Sequence, residues 1–175
     1  MPLRALAPMG PVIPNRNLML LAAATATAKA YNRVYLACPL DDLVPDCSPR
    51  FIRESSRVLS ASLGKVVTVS NALAGETKAS ALRKALKKGA CRQLILLSRS
   101  CYAAGQVPCG ACSACFKRWV ALERNSLTET YDDDPRKMLG LLLSAPGSLG
   151  LGAALARLPV LLDVLRALQA RGARK

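Results

Sequence analysis

The chain has 175 residues, 51% hydrophobic and 21% charged, which fits about one ordinary globular domain and excludes a disordered, collagenous or disulfide-stapled miniature chain. Aromatic residues make up only 4%, too few for a base-stacking platform. There is no His, which removes Ser-His-Asp and Cys-His catalysis, His-bearing zinc hydrolases and zinc deaminases. The net charge is +14, most of it in the first 125 residues, where 18 basic residues face 6 acidic ones. Such a body suits nucleic acid, an anionic membrane or anionic small substrates. Only Arg83, Lys84, Lys87 and Lys88 cluster densely, so a solvated helix face is the simplest reading of that charge.

Residues 1–13 read as an extended lead-in, because Pro2, Pro8 and Pro11 deny the backbone donors that a helix or central strand needs. No uninterrupted apolar stretch there is long enough for a secretory signal, which points to a reducing, cytoplasmic compartment. An α/β region, 14–125, follows. Its first element is an Ala- and Leu-rich helix from Asn17 to Asn32, with Asn suited to capping at both ends. Val34 to Cys38 is a short apolar strand, and a proline-punctuated loop runs from it to Cys47. Ser48 and Pro49 start a helix in which Phe51, Ile52, Val58, Leu59 and Leu63 recur at helical spacing until Gly64 stops it.

Lys65 to Ser70 is a second, β-branched strand, and a helix from Thr77 to Lys88 ends at Gly89. The alternation predicts an α/β chain with a partial parallel sheet, and two strands alone leave that sheet incomplete. After the cysteine-rich segment comes a helix containing Phe116, Trp119, Val120 and Leu122. Residues 126–175 form a tail of different composition. Met138 to Ala156 is uncharged and long enough to span a membrane, but Pro146 and four Gly within it argue against insertion, so no membrane association is expected. The last segment, Leu158 to Arg171, is a helix with Leu158, Leu161, Leu162, Leu165 and Leu168 in a stripe suited to docking on the body or on a partner subunit.

Cys101, Cys109, Cys112 and Cys115 have the spacing C-x7-C-x2-C-x2-C. Four thiolates so close in sequence can close a tetrahedron around one structural zinc ion. Gly110 gives the knuckle a residue free to take positive φ, and Cys112 and Cys115 stand near a helix N-terminus, where the dipole favours thiolates. An iron–sulfur cluster is the lesser alternative, since no further Cys followed by Pro comes after Cys115. A closed four-thiolate site has no open position for substrate, so its role is structural. Cys38 and Cys91 read as small buried hydrophobes. GSLGLG, residues 147–152, is glycine-rich but follows no clear strand, and reads as a loop and not a phosphate cradle.

The segment Ser100 to Arg118, SCYAAGQVPCGACSACFKR, resembles the zinc segment of the 7-cyano-7-deazaguanine synthases of queuosine biosynthesis. Pro14, Asn15, Arg16 and Asn17 resemble that family's P-x-R-N stretch. Pro45, Asp46, Cys47 and Phe51 resemble its P-D-C before a helix that begins with Phe, and Thr77 and Lys78 resemble its T-K pair. The resemblance implies an adenine-nucleotide alpha-hydrolase-like (PP-loop ATPase) fold. It implies ATP- and magnesium-dependent conversion of 7-carboxy-7-deazaguanine to the nitrile, by adenylation, attack by ammonia and a second activation of the amide. It also implies a substrate site with Arg16 and Asn17 at the nucleotide or substrate cleft, Asp46 and Cys47 near the deazaguanine base, and Lys78 beside anionic groups.

The family's S-G-G-x-D-S loop, which cradles the ATP pyrophosphate, has no counterpart in this sequence. The resemblance therefore implies the zinc-bearing half of such an enzyme, completed by a separately encoded PP-loop chain or by an upstream segment, with ATP and Mg2+ entering only through that completion; the incomplete sheet also suits a homo-oligomer. Two other classes stand beside it. One is a non-catalytic binding protein on the same scaffold, and the other is a basic zinc-stabilised module that binds nucleic acid.

Overall fold

A computed structural model describes residues 15–27, 31–42, 44–138 and 151–172, the last segment with side chains for 159–169. The lead-in over 1–13, Pro14 and most of the uncharged stretch and glycine-rich loop, residues 139–150, lie outside the described residues. The chain divides after Gly75 into two compact units.

The first unit is α/β. Helix α1 (Arg16–Thr27) is followed by strand β1 (Arg33–Leu36), a 3-10 turn over Pro45–Cys47, helix α2 (Pro49–Leu63) and strand β2 (Thr68–Asn71). β1 and β2 pair in parallel, with Val34 opposite Val69 and Leu36 opposite Asn71. Ser48 caps α2 by accepting the Phe51 N–H, Pro49 occupies the first turn, and Gly64 ends the helix at φ 61°. Leu21, Leu59, Val67 and Val69 form the core, with Val34, Leu36, Phe51 and Ile52 packed against it.

Three details depart from the sequence reading. Asn17 is not a cap but a buried residue of the first helical turn, because the carbonyl of Asn15 already accepts the Met19 N–H. Val58 and Leu63 are exposed. The inward positions of α2 that they were expected to share are taken by serines: Ser55 is buried, and the hydroxyls of Ser56 and Ser60 each accept a β2-side N–H, from Val69 and Val67, both at 2.9 Å. In a parallel pair alternate residues direct their N–H and C=O to opposite sides. Thr68 and Ala72 donate to Asn32 and Leu36, so Val67 and Val69 face the outer edge of β2, and the two serines satisfy that edge. Arg33 and Tyr35 direct their backbone groups to the other edge, beyond β1.

The second unit is helical around the cysteine segment. Helix α3 (Lys78–Lys87) is capped by Thr77, whose hydroxyl accepts the Ser80 N–H. Helix α4 (Arg92–Leu97), which hydrophobic spacing did not reveal, starts after Cys91; that cysteine is exposed and not a buried hydrophobe. Helix α5 (Ser113–Glu123) is the centre, buried from Cys115 to Glu123 except at Lys117. Helix α6 (Leu151–Gly172) begins a full two turns earlier than expected and carries Pro159 inside it. Phe116, Trp119 and Val120 of α5 pack with Met138 and with Val164 and Ala167 of α6.

Of the described side chains in the leucine stripe of α6, only Leu168 packs against this cluster. Leu161, Leu162 and Leu165 are exposed and only Leu168 is partly buried, while the side chain of Leu158 lies outside the described residues. Asp163 takes the inward place beside Val164, where its carboxylate accepts from Thr77 Oγ1 at 2.6 Å and Arg124 Nε at 3.1 Å. Among the described residues no helix is long and apolar enough to cross a membrane.

Candidate functional site

The four cysteines of the motif converge. Their sulfur atoms all lie within 4.8 Å of one another, with Cys109 and Cys115 at 3.9 Å. A zinc–thiolate bond of about 2.3 Å sets the edge of a tetrahedral sulfur shell at about 3.8 Å, so the set can hold one metal ion with small adjustments. Local backbone explains the convergence. Cys112 is the N-cap of α5 and its Sγ accepts the Cys115 N–H at 3.4 Å, which places two ligands on the first turn. Cys101 Sγ accepts the N–H groups of Ala103 and Cys109, both at 3.4 Å, which folds the long spacer back.

Gly110 turns the knuckle at φ 72°, and a Cβ there would meet the Asp133 carbonyl oxygen at 1.8 Å. That second constraint was not visible in the motif. Asp132 and Asp133 donate their N–H groups to the carbonyls of Pro108 and Cys109, so the tail segment clamps the knuckle from outside. Its acidic run, Asp132 to Asp134, was read only as tail composition.

The thiols differ in acidity. Burial raises Cys101, but the two N–H groups aimed at its sulfur outweigh that and bring it down to about 7. Burial and the neighbouring thiols push Cys109 and Cys115 up. One thiolate therefore forms readily, and further ones need a cation among them, which is the electrostatic setting of a metal site.

A second group of predicted residues meets in the α/β unit. The side chain of Asn17 donates to the Asp46 carbonyl at 3.1 Å and reaches Cys47 Sγ at 3.6 Å, fixing the 3-10 turn against α1. Cys38, just after β1, is buried. Burial, with the Cys38 thiol nearby, pushes Cys47 up to about 12. Asn71 holds Cys38 from both sides, accepting its N–H at 3.0 Å and donating to its carbonyl at 2.8 Å. The sequence reading missed Asn71, whose signal is its place at the end of β2 opposite Leu36. Arg16 is exposed at the start of α1, and its charge favours the ionised Cys38. Lys78 opens α3 and, like the four cysteines, belongs to the other unit.

Residues 7–126 match the family described as Queuosine biosynthesis protein QueC. The chain belongs to that family. It is 32% identical over 128 residues to the 7-cyano-7-deazaguanine synthase of Archaeoglobus fulgidus, covering 70% of this chain and 52% of that protein. It is 29% identical over 125 residues to the synthase of Pseudoalteromonas atlantica, covering 69% and 56%. With the synthase of Alteromonas mediterranea the identity is 30% over 125 residues, again covering 69% and 56%. The chain thus spans about half the length of these curated relatives, and the match takes in the cysteine segment and stops where the tail begins.

Proposed function

We propose that this chain is the zinc-bearing half of a 7-cyano-7-deazaguanine synthase-like enzyme with a PP-loop-type fold. It converts 7-carboxy-7-deazaguanine to the nitrile when a PP-loop half supplies ATP and Mg2+. The observation that carries this reading is the four-sulfur cluster, built on the segment that the family match spans. Cys101, Cys109, Cys112 and Cys115 hold zinc as a structural ion, with no open position for substrate. Arg16, Asn17, Asp46 and Cys47 make up the α/β unit's share of the substrate site, and Lys78 is a candidate anion contact carried by the other unit. Asn17 acts there by orienting the Asp46–Cys47 turn, to which its amide is already committed.

ATP is a different matter. A phosphate cradle needs convergent backbone N–H donors on a glycine-rich loop between strand and helix, and the sequence has no S-G-G-x-D-S segment. A PP-loop half would join at the β1 edge, since the N–H groups on the β2 side already end on Ser56 and Ser60.

The deciding experiment measures nitrile formation by mass spectrometry from 7-carboxy-7-deazaguanine, ATP, Mg2+ and ammonia. The chain is assayed alone and together with a chain carrying the S-G-G-x-D-S loop. Turnover is expected only for the pair, and calorimetry on this chain alone in about 0.15 M salt should find no micromolar ATP site. ATP turnover by the single chain overturns the split reading. Salt-sensitive binding of nucleic acid without a partner, and no turnover with one, favours the basic zinc module instead.

A further inference from the structure

The seven residues between Cys101 and Cys109 are the longest gap in the ligand set, and the N–H groups aimed at Cys101 Sγ hold this spacer only at Ala103 and Cys109. Arg99, two residues before the first ligand, holds the rest. Its Nε donates to the Cys101 carbonyl at 3.2 Å, and its two Nη atoms donate to the Gln106 carbonyl at 3.0 Å and the Ala103 carbonyl at 2.6 Å. One guanidinium thus joins the start, the middle and the far end of the spacer. The knuckle beyond it is held separately, by the Asp132 and Asp133 N–H groups on the carbonyls of Pro108 and Cys109.

We propose that Arg99 is a positioning residue for the metal: its guanidinium fork holds the spacer closed, so that Cys101 keeps its place facing the other three sulfurs. The inference rests on the reading of the four cysteines as a zinc site, and it concerns how firmly that site keeps its ion. A free spacer has to be ordered when its two flanking thiolates close on one ion, and that ordering weakens metal binding. A spacer already tied to Arg99 has lost this freedom in the folded chain. Without the tie, the Cys101 arm can swing away and open the ion to a competing ligand.

The shape of the side chain matters here more than its charge. A guanidinium presents five N–H donors in a fixed plane and can reach three carbonyls at once, whereas the ammonium of Lys is a point charge without that fork. Arg99 is exposed, so no one of the three bonds is strong by itself, and the effect lies in their joint hold on one loop. Groups outside the ligand shell that orient it change metal affinity by about 10–100-fold. Arg92, exposed on the first turn of α4, carries the same charge in the same unit and serves as the control for charge alone.

The test loads the full chain with zinc, checks the loading by elemental analysis, and follows transfer of zinc to an excess of the chromogenic chelator pyridylazoresorcinol. Arg99→Met should release zinc about 10–100-fold faster than the parent, Arg99→Lys nearly as fast as Arg99→Met, and Arg92→Gln at the parent rate. At saturating cobalt the visible spectrum of a four-thiolate tetrahedral site should be the same in the parent and in Arg99→Met, because the ligands are unchanged and only their hold is weakened. Release at the parent rate from Arg99→Met or Arg99→Lys overturns the proposal. Equal acceleration by Arg92→Gln also overturns it, since the effect would then be one of net charge. A cobalt spectrum with fewer thiolates, or lost hydrogen-exchange protection of α5 in Arg99→Met, would make Arg99 a folding residue and overturn the positioning role. A parent chain that takes up no zinc removes the metal-site reading itself, and this proposal with it.

Discussion

The two units of this chain are stabilised by different means. In the α/β unit an apolar cluster of Leu21, Leu59, Val67 and Val69 lies between helices and a two-stranded sheet, and hydroxyls from Ser56 and Ser60 satisfy the outer N–H groups on the β2 side. In the cysteine unit the apolar contact of Phe116, Trp119, Val120, Val164 and Ala167 is flanked by groups that only specific partners make tolerable: four thiols, a buried Arg118 and a buried Asp163. Transfer of apolar surface tolerates small errors of geometry, whereas buried charge and metal ligation do not. The cysteine unit should therefore fail abruptly when one partner is removed, and the α/β unit by degrees.

Metal removal tests this contrast most severely. Metal binding to a four-thiolate site is on the order of 10 kcal/mol, comparable to the whole stability of a domain. Chelation, or Cys112→Ala, should abolish hydrogen-exchange protection in residues 98–138 and leave 15–71 protected. Acid should act in the same direction, because protons compete with metal for the thiolates. Elemental analysis should give one zinc per chain. Iron with sulfide, or a Cys112→Ala chain that keeps its zinc, would show that the cluster is something else.

Next in size is the buried pair of Arg118 and Glu129, 2.7 Å apart and only 7% and 12% exposed at their side chains. Arg118 also donates to Ser98 Oγ and to the Ile95 carbonyl at 3.0 Å, tying the end of α4 to α5. Glu129→Leu alone should destabilise by about 3–5 kcal/mol, because it strands a guanidinium in the interior. The double change Arg118→Met with Glu129→Leu should cost less than either change alone. Urea unfolding of the three variants measures the difference, and simple additivity would mean that the charges are hydrated after all. In the α/β unit, Leu59→Ala should cost about 2–4 kcal/mol as a cavity, with no second variant able to rescue it by symmetry of charge.

How far these differences were legible in the sequence depends on what each residue type signals. Ser48, Pro49 and Gly64 bound α2 because caps act within one turn, and local rules read them. The cysteine cluster was legible because ligand spacing is itself local. Ser56 and Ser60 were not, since a hydroxyl on a helix gives no sign in its own neighbourhood that it will meet a β2-side N–H 13 or 7 residues on. Asp163 failed in the same way. A lone acid among leucines reads as the solvent face, yet its partners are Thr77, 86 residues away, and Arg124. Once Asp163 turns inward, the geometry of one helix forces the leucines flanking it outward.

That reversal sets the smallest effect. The leucine stripe was expected to dock on the body or on a partner subunit; within this chain Leu161 and Leu165 are 39% and 56% exposed, so replacing both by Asp removes little buried surface from it. The folding free energy of Leu161→Asp with Leu165→Asp should stay within about 0.5 kcal/mol of the parent, as for other surface changes. Asp163→Asn, by contrast, weakens charge-assisted bonds to both Thr77 and Arg124 and should cost about 1–3 kcal/mol. If the leucine pair proves the costlier of the two in urea at low protein concentration, Leu161 and Leu165 bear on folding in a way their exposure does not suggest. If it matters only at high concentration, where light scattering follows assembly, the exposed leucines serve contact with another subunit. Tyr35→Pro separates that contact from the sheet, because it removes an N–H directed to the β1 edge and leaves the β1–β2 ladder intact. Loss of assembly by Tyr35→Pro but not by the leucine pair would place the seam on the sheet, and the reverse would place it on α6.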